Sequence, residues 1–128
     1  MKNSKLQFIK YDVEQLYFEN NSNFVNKSKN IDVNPKIGHK FDKINDNQFS
    51  VSLQVLINCG NKCPFTSHVE IKGTFIMENW ESKENIGVAK ENTLAILFPL
   101  LRSCLSSLIV QGGYPSFLLP IVDVKETE

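Results

Sequence analysis

The chain predicts an α+β fold: a four-stranded antiparallel sheet, drawn as a meander, followed by one long helix packed on one face. Three observations carry that prediction. Between Ile31 and Met77, three stretches alternate apolar and polar residues with a period of two. An earlier stretch, Lys5 to Glu19, alternates with slips of phase. Glu91 to Asp123 opens as a helix that is apolar nearly all round. At 128 residues the whole chain has the size of a single domain with a modest core.

In Lys5 to Glu19, Leu6 and Phe8 share one parity; Ile9, Tyr11 and Val13 share the other; Leu16 and Phe18 return to the first. A slip in a period-two pattern implies a bulge or bend, which is common on edge strands. Asn20 to Asn30 is a polar loop whose only apolar residues are Phe24 and Val25. In the second strand Ile31, Val33, Ile37 and Phe41 alternate with polar neighbours, and Pro35 marks an irregular or edge position. A turn from Ile44 to Gln48 leads into Phe49, Val51, Leu53, Val55 and Ile57. A second turn, Gly60 to Lys62, leads into Phe65, Val69, Ile71, Phe75 and Met77. Such alternation describes antiparallel strands with one buried face. Asn79 to Lys90 is a polar connection, expected to be partly helical at its end, with Trp80 placed to cover an edge of the core.

The helix is expected to start at Asn92 or Thr93, both good N-cap residues. Leu94, Leu97, Leu101, Cys104, Leu105 and Leu108 recur at spacings of three and four, while Ile96, Phe98 and Leu100 make other faces apolar. Such a helix is buried in a core, an interface or a membrane. Arg102 and Ser103, Ser106 and Ser107 interrupt the run before the ~20 apolar residues a span needs, so no membrane insertion is expected. The serines fit either close helix–helix approach or a water-facing stripe. Pro99 removes one backbone bond and is expected to kink the helix near Ala95. Gly112 and Gly113 supply the stop. Beyond them Tyr114, Phe117, Leu118, Leu119 and Ile121 form an apolar loop between prolines, which must pack on something or await a partner.

Charge is balanced, fourteen basic against fourteen acidic residues, and thirteen of the basic ones are lysine. This argues against a nucleic-acid surface, which needs clustered basic residues. Cysteine usage and an opening interrupted by polar residues point to a reducing cytoplasm. Cys59 and Cys63 flank a turn as CGNKC, close enough for a disulfide and read here as reduced structural thiols, with His68 as a third nearby donor. A closed zinc site needs four ligands, and no fourth is evident, so no metal or other cofactor is expected. Cys104 is assigned to the core. His39 and His68 have no nucleophile partner in the pattern, and no enzyme activity is expected.

The run LFPLLRSCLSSLIVQGGYPSFLLPIVDV resembles the first-helix and connecting-loop signature of the bacterial export chaperone family SecB. The matching features are Leu97 to Pro99, Arg102 among small residues, the Tyr114–Pro115 pair and the Leu119 to Asp123 ending. Element order agrees from about Leu6 to Val124. The resemblance implies a four-stranded sheet with helices behind it, assembled as a homotetramer, a dimer of dimers with the helices between the sheets. It implies a holdase for unfolded polypeptides such as preproteins for Sec export. Candidate groove residues are Tyr11 and Tyr17, as outward aromatics of the first strand, with Tyr114, Phe117, Leu118, Leu119 and Ile121; ordinary packing is the alternative for each. Leu97, Leu101, Arg102 and Leu105 are assigned to the oligomer interface.

The family contacts the motor SecA partly through acidic residues on the outer sheet surface, for which Glu14 and Glu19 are the candidates. Gln15 stands where the family commonly has an aspartate, and Gly60, Asn61 and Lys62 replace an acidic turn. The family's second helix would follow Val124, where only KETE remains before Glu128. These departures point toward a dedicated chaperone, of an antitoxin or another specific client. Outside the family, two readings compete: a small hydrophobic-ligand binding protein with its pocket between sheet and helix, and a redox or metal-dependent enzyme built on Cys59 and Cys63.

Overall fold

A computed structural model describes residues 5–22, 24 and 33–114. Strands β1 (Gln7–Asn20), β2 (Lys36–Lys43), β3 (Gln48–Ile57) and β4 (Phe65–Ile76) form one antiparallel sheet, followed by helix α1 (Ile86–Gln111). The predicted fold class holds. The strand order is β1-β4-β3-β2, so the meander covers β2 to β4 only. β1 pairs with β4 rather than with β2, and the two outer strands are β1 and β2. Period-two patterning tells which face a residue takes, not which strand lies beside it.

The phase slips of the first strand are real bulges. Its register with β4 shifts between Phe8 and Lys10 and again between Val13 and Gln15. Each extra residue, Ile9 and then Glu14, resets the alternation. Phe8, Tyr11, Val13, Leu16 and Phe18 therefore pair with Phe75, Gly73, Ile71, Val69 and Ser67. Directly paired residues share a face, and these β4 partners face the helix.

The core lies between α1 and the two middle strands. Phe49, Val51, Leu53, Val55 and Ile57 of β3 are fully buried, and every second residue of β4 from Phe65 to Phe75 is buried. Leu94, Leu97, Phe98, Leu101, Leu105 and Ile109 cover them. Helix and sheet approach closely at Gly73: a Cβ there would press on the methyls of Leu97. At one end Trp80 stacks on Phe49 with centroids 4.3 Å apart, and its indole donates to the Asn45 carbonyl. It covers the core edge as expected. α1 is long and apolar enough to cross a membrane by length and composition, but its leucine face is buried on the chain's own sheet.

The helix starts earlier than its sequence suggests. Asn85 is the N-cap residue, and its side chain donates to the carbonyls of Glu78 and Asn79. Asn92 is exposed, and Thr93 is buried with its hydroxyl donating to the Ala89 carbonyl at 2.7 Å. A first turn and a half that is mostly exposed, with Gly87 inside it and Ala89 as its buried residue, hid the start. Pro99 is inside the helix on the exposed side, as is Ala95, so water can reach the carbonyl that the missing N–H leaves over. Cys104 is half-buried rather than a core residue.

The two terminal glycines do different work. Gly113 has φ of +99°, the left-handed region that favours glycine. Gly112 is helical, but the Phe18 ring lies where its Cβ would be. Gly112→Ala is expected to lower stability by about 1–3 kcal/mol through overpacking, read as the midpoint of urea unfolding. An unchanged midpoint would mean Phe18 does not rest on the helix end.

Candidate functional site

Among the described residues the largest apolar feature left uncovered is the helix-side face of β1. α1 packs on β3 and β4 and barely reaches β1. Phe8, Tyr11, Val13 and Leu16 thus stand on the face of the sheet that elsewhere forms the core, yet 40%, 39%, 44% and 55% of each remains exposed. The bulge residue Ile9 adds to them. Beside this surface runs a strand edge that no described residue pairs with, because among the described residues β1 has a neighbour on one side only.

Aromatic rings anchor both ends of the surface. Tyr11, Phe8, Phe75, Phe49 and Trp80 form a continuous line across the sheet, with centroids 6.4, 5.1, 5.7 and 4.3 Å apart in turn. At the other end Phe18, Phe65 and Tyr114 are mutually within 5.1–6.2 Å. Tyr114 donates its hydroxyl to the Pro64 carbonyl at 3.2 Å. Sequence reasoning passed over Phe8, Val13 and Leu16 as a site. Their phase slips were the available signal, but grouping them on one face requires the β1–β4 register.

Tyr11 and Tyr17 stand on opposite faces of β1, not both outward as expected. The bulge at Glu14 lies between them, so Tyr11 faces the helix side while Tyr17, paired with His68, faces the outer side. Tyr17 donates to Glu19 Oε1 at 2.6 Å. That hydrogen bond first, then partial desolvation and the carboxylate charge, hold its phenol above the ordinary value. Glu19 belongs to the polar outer face and Glu14 to the bulge; both are exposed. Tyr114 is half-buried at the core edge. Phe117, Leu118, Leu119 and Ile121 lie outside the described residues.

The interface leucines need correction. Leu97, Leu101 and Leu105 are each 0% exposed within the single chain, buried on its own sheet, and have no surface left for a second copy. Arg102 alone of the four lies on the open side, where Pro99, Arg102, Ser103, Ser106 and Ser107 line a shallow depression of about 320 Å³. Ala95 and Val110 continue that side. The expected pocket between sheet and helix is filled by the core side chains.

Little here suits chemistry. His39 lies on the helix side of β2 and His68 on the outer side of β4, where it meets Gln54 Oε1 at 2.8 Å. No cluster of three or more metal-ligating side chains occurs among the described residues. Cys59 and Cys63 are joined as a disulfide, with Cα atoms 5.4 Å apart, against the expectation of reduced thiols. The turn draws their Cβ atoms together, which spacing alone left open.

A family model described as preprotein translocase subunit SecB matches residues 2–126. A protein-export protein SecB from Xanthomonas campestris is 31% identical over 91 residues, covering 70% of this chain and 54% of that protein. One from Acinetobacter baumannii is 30% identical over 90 residues, 69% of this chain and 59% of that protein. The match thus spans just over half the length of these relatives. The solved structure of the Mycobacterium tuberculosis SecB-like chaperone Rv1957, in complex with a peptide from the antitoxin HigA1, aligns with a TM-score of 0.69. It is 14% identical and covers 92% of this chain and 88% of that one; the likeness is one of fold.

Because the Tyr17 phenol is raised, the stabilisation it contributes is present below the ordinary tyrosine value and fades as pH rises through the folded one. In an ultraviolet titration, Glu19→Gln is expected to bring the Tyr17 ionisation down. A titration that does not move would separate Tyr17 from Glu19.

Proposed function

The chain belongs to the SecB family, and from that premise we propose that it is a holdase chaperone of the cytoplasm that binds unfolded polypeptides along the uncovered side of β1. One observation carries the reading: four large apolar side chains stand exposed on one face, directly beside an open strand edge. An unfolded client offers the complement of both, apolar side chains and unpaired backbone. An extended segment lying along β1 gains main-chain hydrogen bonds from the edge and apolar burial from Phe8, Tyr11, Val13 and Leu16. Main-chain pairing is indifferent to sequence, which suits a chaperone with many clients. Tyr114 extends this surface at the helix exit, and Phe117, Leu118, Leu119 and Ile121 follow it in the chain.

A holdase gains from several such surfaces in one assembly, since linked weak contacts raise avidity. The open side of α1 is the surface assigned to self-association. Ala95, Pro99, Ser103 and Ser107 recur there at spacings of four and are small enough for helices to approach closely. A dimer of dimers with helices facing inward makes the apolar side of β1 a groove beside α1 and leaves the open edge of the strand at its rim. Binding of this kind needs no cofactor and no catalytic group. Docking to SecA is assigned to Glu14 and Glu19.

The departures on the outer face, Gln15 and the Gly60–Lys62 turn, favour a second reading within the same chemistry, a dedicated client in place of general export. The similar mycobacterial chaperone was solved with an antitoxin peptide, and an antitoxin is the client class to try first.

Light scattering coupled to size exclusion tests both parts. The protein alone is expected as a dimer or tetramer, and with a reduced, alkylated test protein it is expected to co-elute, but not with the folded form. Leu16→Asp is expected to leave folding intact and weaken holding roughly tenfold, the equivalent of losing one buried leucine contact. Phe117→Asp is expected to act in the same direction. A monomer that ignores unfolded chains would overturn the proposal; a Leu16→Asp protein that holds clients normally would remove β1 from it.

A further inference from the structure

Six residues between β3 and β4, Cys59 to Pro64, tie together three separate parts of the chain. They form a single helical turn, Gly60–Lys62, between Cys59 and Cys63. At the end of β1, the Asn21 side chain donates to the carbonyls of Gly60 at 2.9 Å and Cys63 at 3.0 Å, and the Asn21 N–H donates to the Pro64 carbonyl at 2.8 Å. At the exit of α1, Tyr114 donates to that same Pro64 carbonyl. Ahead of β2, the Val33 carbonyl stands 3.7 Å from Cys59 Sγ and 3.8 Å from Cys63 Sγ. The Cys59–Cys63 bond closes the turn that holds all three.

We infer that Cys59 and Cys63 form a reversible thiol–disulfide site, with low-molecular-weight thiols and disulfides of the glutathione class as co-reactants, that tightens or loosens this junction. Three features point to reversibility. The loop closed is only five residues long, so the bond restricts the unfolded chain less than a bridge between distant elements would. The two sulfurs differ in access: Cys59 is half-buried and Cys63 is fully buried, so an incoming thiolate has one sulfur to attack. The reduced state also has a place for its protons. A disulfide has no S–H, whereas either thiol can donate to the Val33 carbonyl that both sulfurs face. Opening the bond thus exchanges a covalent tie for a weak hydrogen bond to the same region.

The exchange balances as follows. A glutathione thiolate attacks Cys59 Sγ, forming a mixed disulfide, and Cys63 leaves as a thiolate that takes a proton from water. A second glutathione thiolate attacks the glutathione sulfur of the mixed disulfide. Cys59 leaves as a thiolate, is protonated, and glutathione disulfide is released. Two glutathione thiols are oxidised and one protein disulfide is reduced; closure runs the steps in reverse, with glutathione disulfide as oxidant. Cys104 is half-buried on α1, and burial pushes its thiol up, which keeps it out of the exchange.

The closed bond fixes the carbonyls that hold Asn21 and Tyr114, which end β1 and begin the chain beyond α1. Its link to client holding rests on the function proposed above. The full-length protein is equilibrated with excess glutathione or glutathione disulfide, and thiols are counted after denaturation. Three are expected in the reduced sample and one in the oxidised. Amide exchange at Asn21, Cys63 and Tyr114 is expected to be at least several-fold slower in the oxidised sample. The Cys59→Ser, Cys63→Ser double variant is expected to exchange like the reduced protein and ignore glutathione disulfide. Three thiols after treatment with glutathione disulfide would overturn the site; one thiol with unchanged exchange would overturn the tightening. Should both redox states fail to hold an unfolded protein while thiol count and exchange behave as expected, the redox site stands and the holdase reading falls.

Discussion

The sheet is wider than the helix that covers it. Four strands at ~4.8 Å spacing span roughly 14 Å between their outer axes before side chains are added, against a helix ~10 Å across. α1 settles over β3 and β4, where Gly73 lets Leu97 approach the backbone and Leu94, Leu101 and Leu105 complete the layer. Trp80 at one end and Tyr114 at the other extend that cover over Phe49 and Phe65. The helix-facing sides of the outer strands are left only partly covered. On β2 the residues concerned are Ile37, His39 and Phe41, which are half-buried; on β1 they are the apolar set from Phe8 to Leu16.

That constraint makes β1 unusual. An edge strand with exposed apolar residues invites association, and proteins ordinarily blunt such edges with charges, prolines or bulges. β1 carries two bulges, yet they serve a second end. With extra residues at Ile9 and Glu14, the spacings 8, 11, 13, 16, 18 fall on one face, where strict alternation would scatter them over both. The bulges therefore gather apolar surface while bending the strand. The opposite side carries Lys10, Asp12, Gln15, Tyr17 and Glu19 and stays polar, which separates a sticky face from a soluble one along a single strand.

Much of this could be read from the residues. The phase slips of Lys5 to Glu19 were the bulges, and the alternation of β3 and β4 matched the buried sides residue by residue. Strand neighbours were not legible, because a period of two carries no information about pairing order; hence the meander. The opposite facing of Tyr11 and Tyr17 was legible, since the phase slip at Glu14 lies between them. The helix start was missed because its exposed first turns resemble a loop. The leucines assigned to self-association follow from the same limit. Apolar spacing identifies a buried face, but whether it is buried by the chain's own sheet or by another copy depends on which strands α1 meets. The resemblance in Leu97 to Asp123 identified the family correctly, although a third of that signature lies beyond the described residues.

The most direct test of the account is amide hydrogen exchange along β1, with and without an unfolded client, at constant assembly size. Client segments pairing with the open edge should slow exchange of the β1 amides directed away from β4 and leave those bonded to β4 and within the buried face of α1 unchanged. A client that binds while every β1 amide exchanges as before would contradict it.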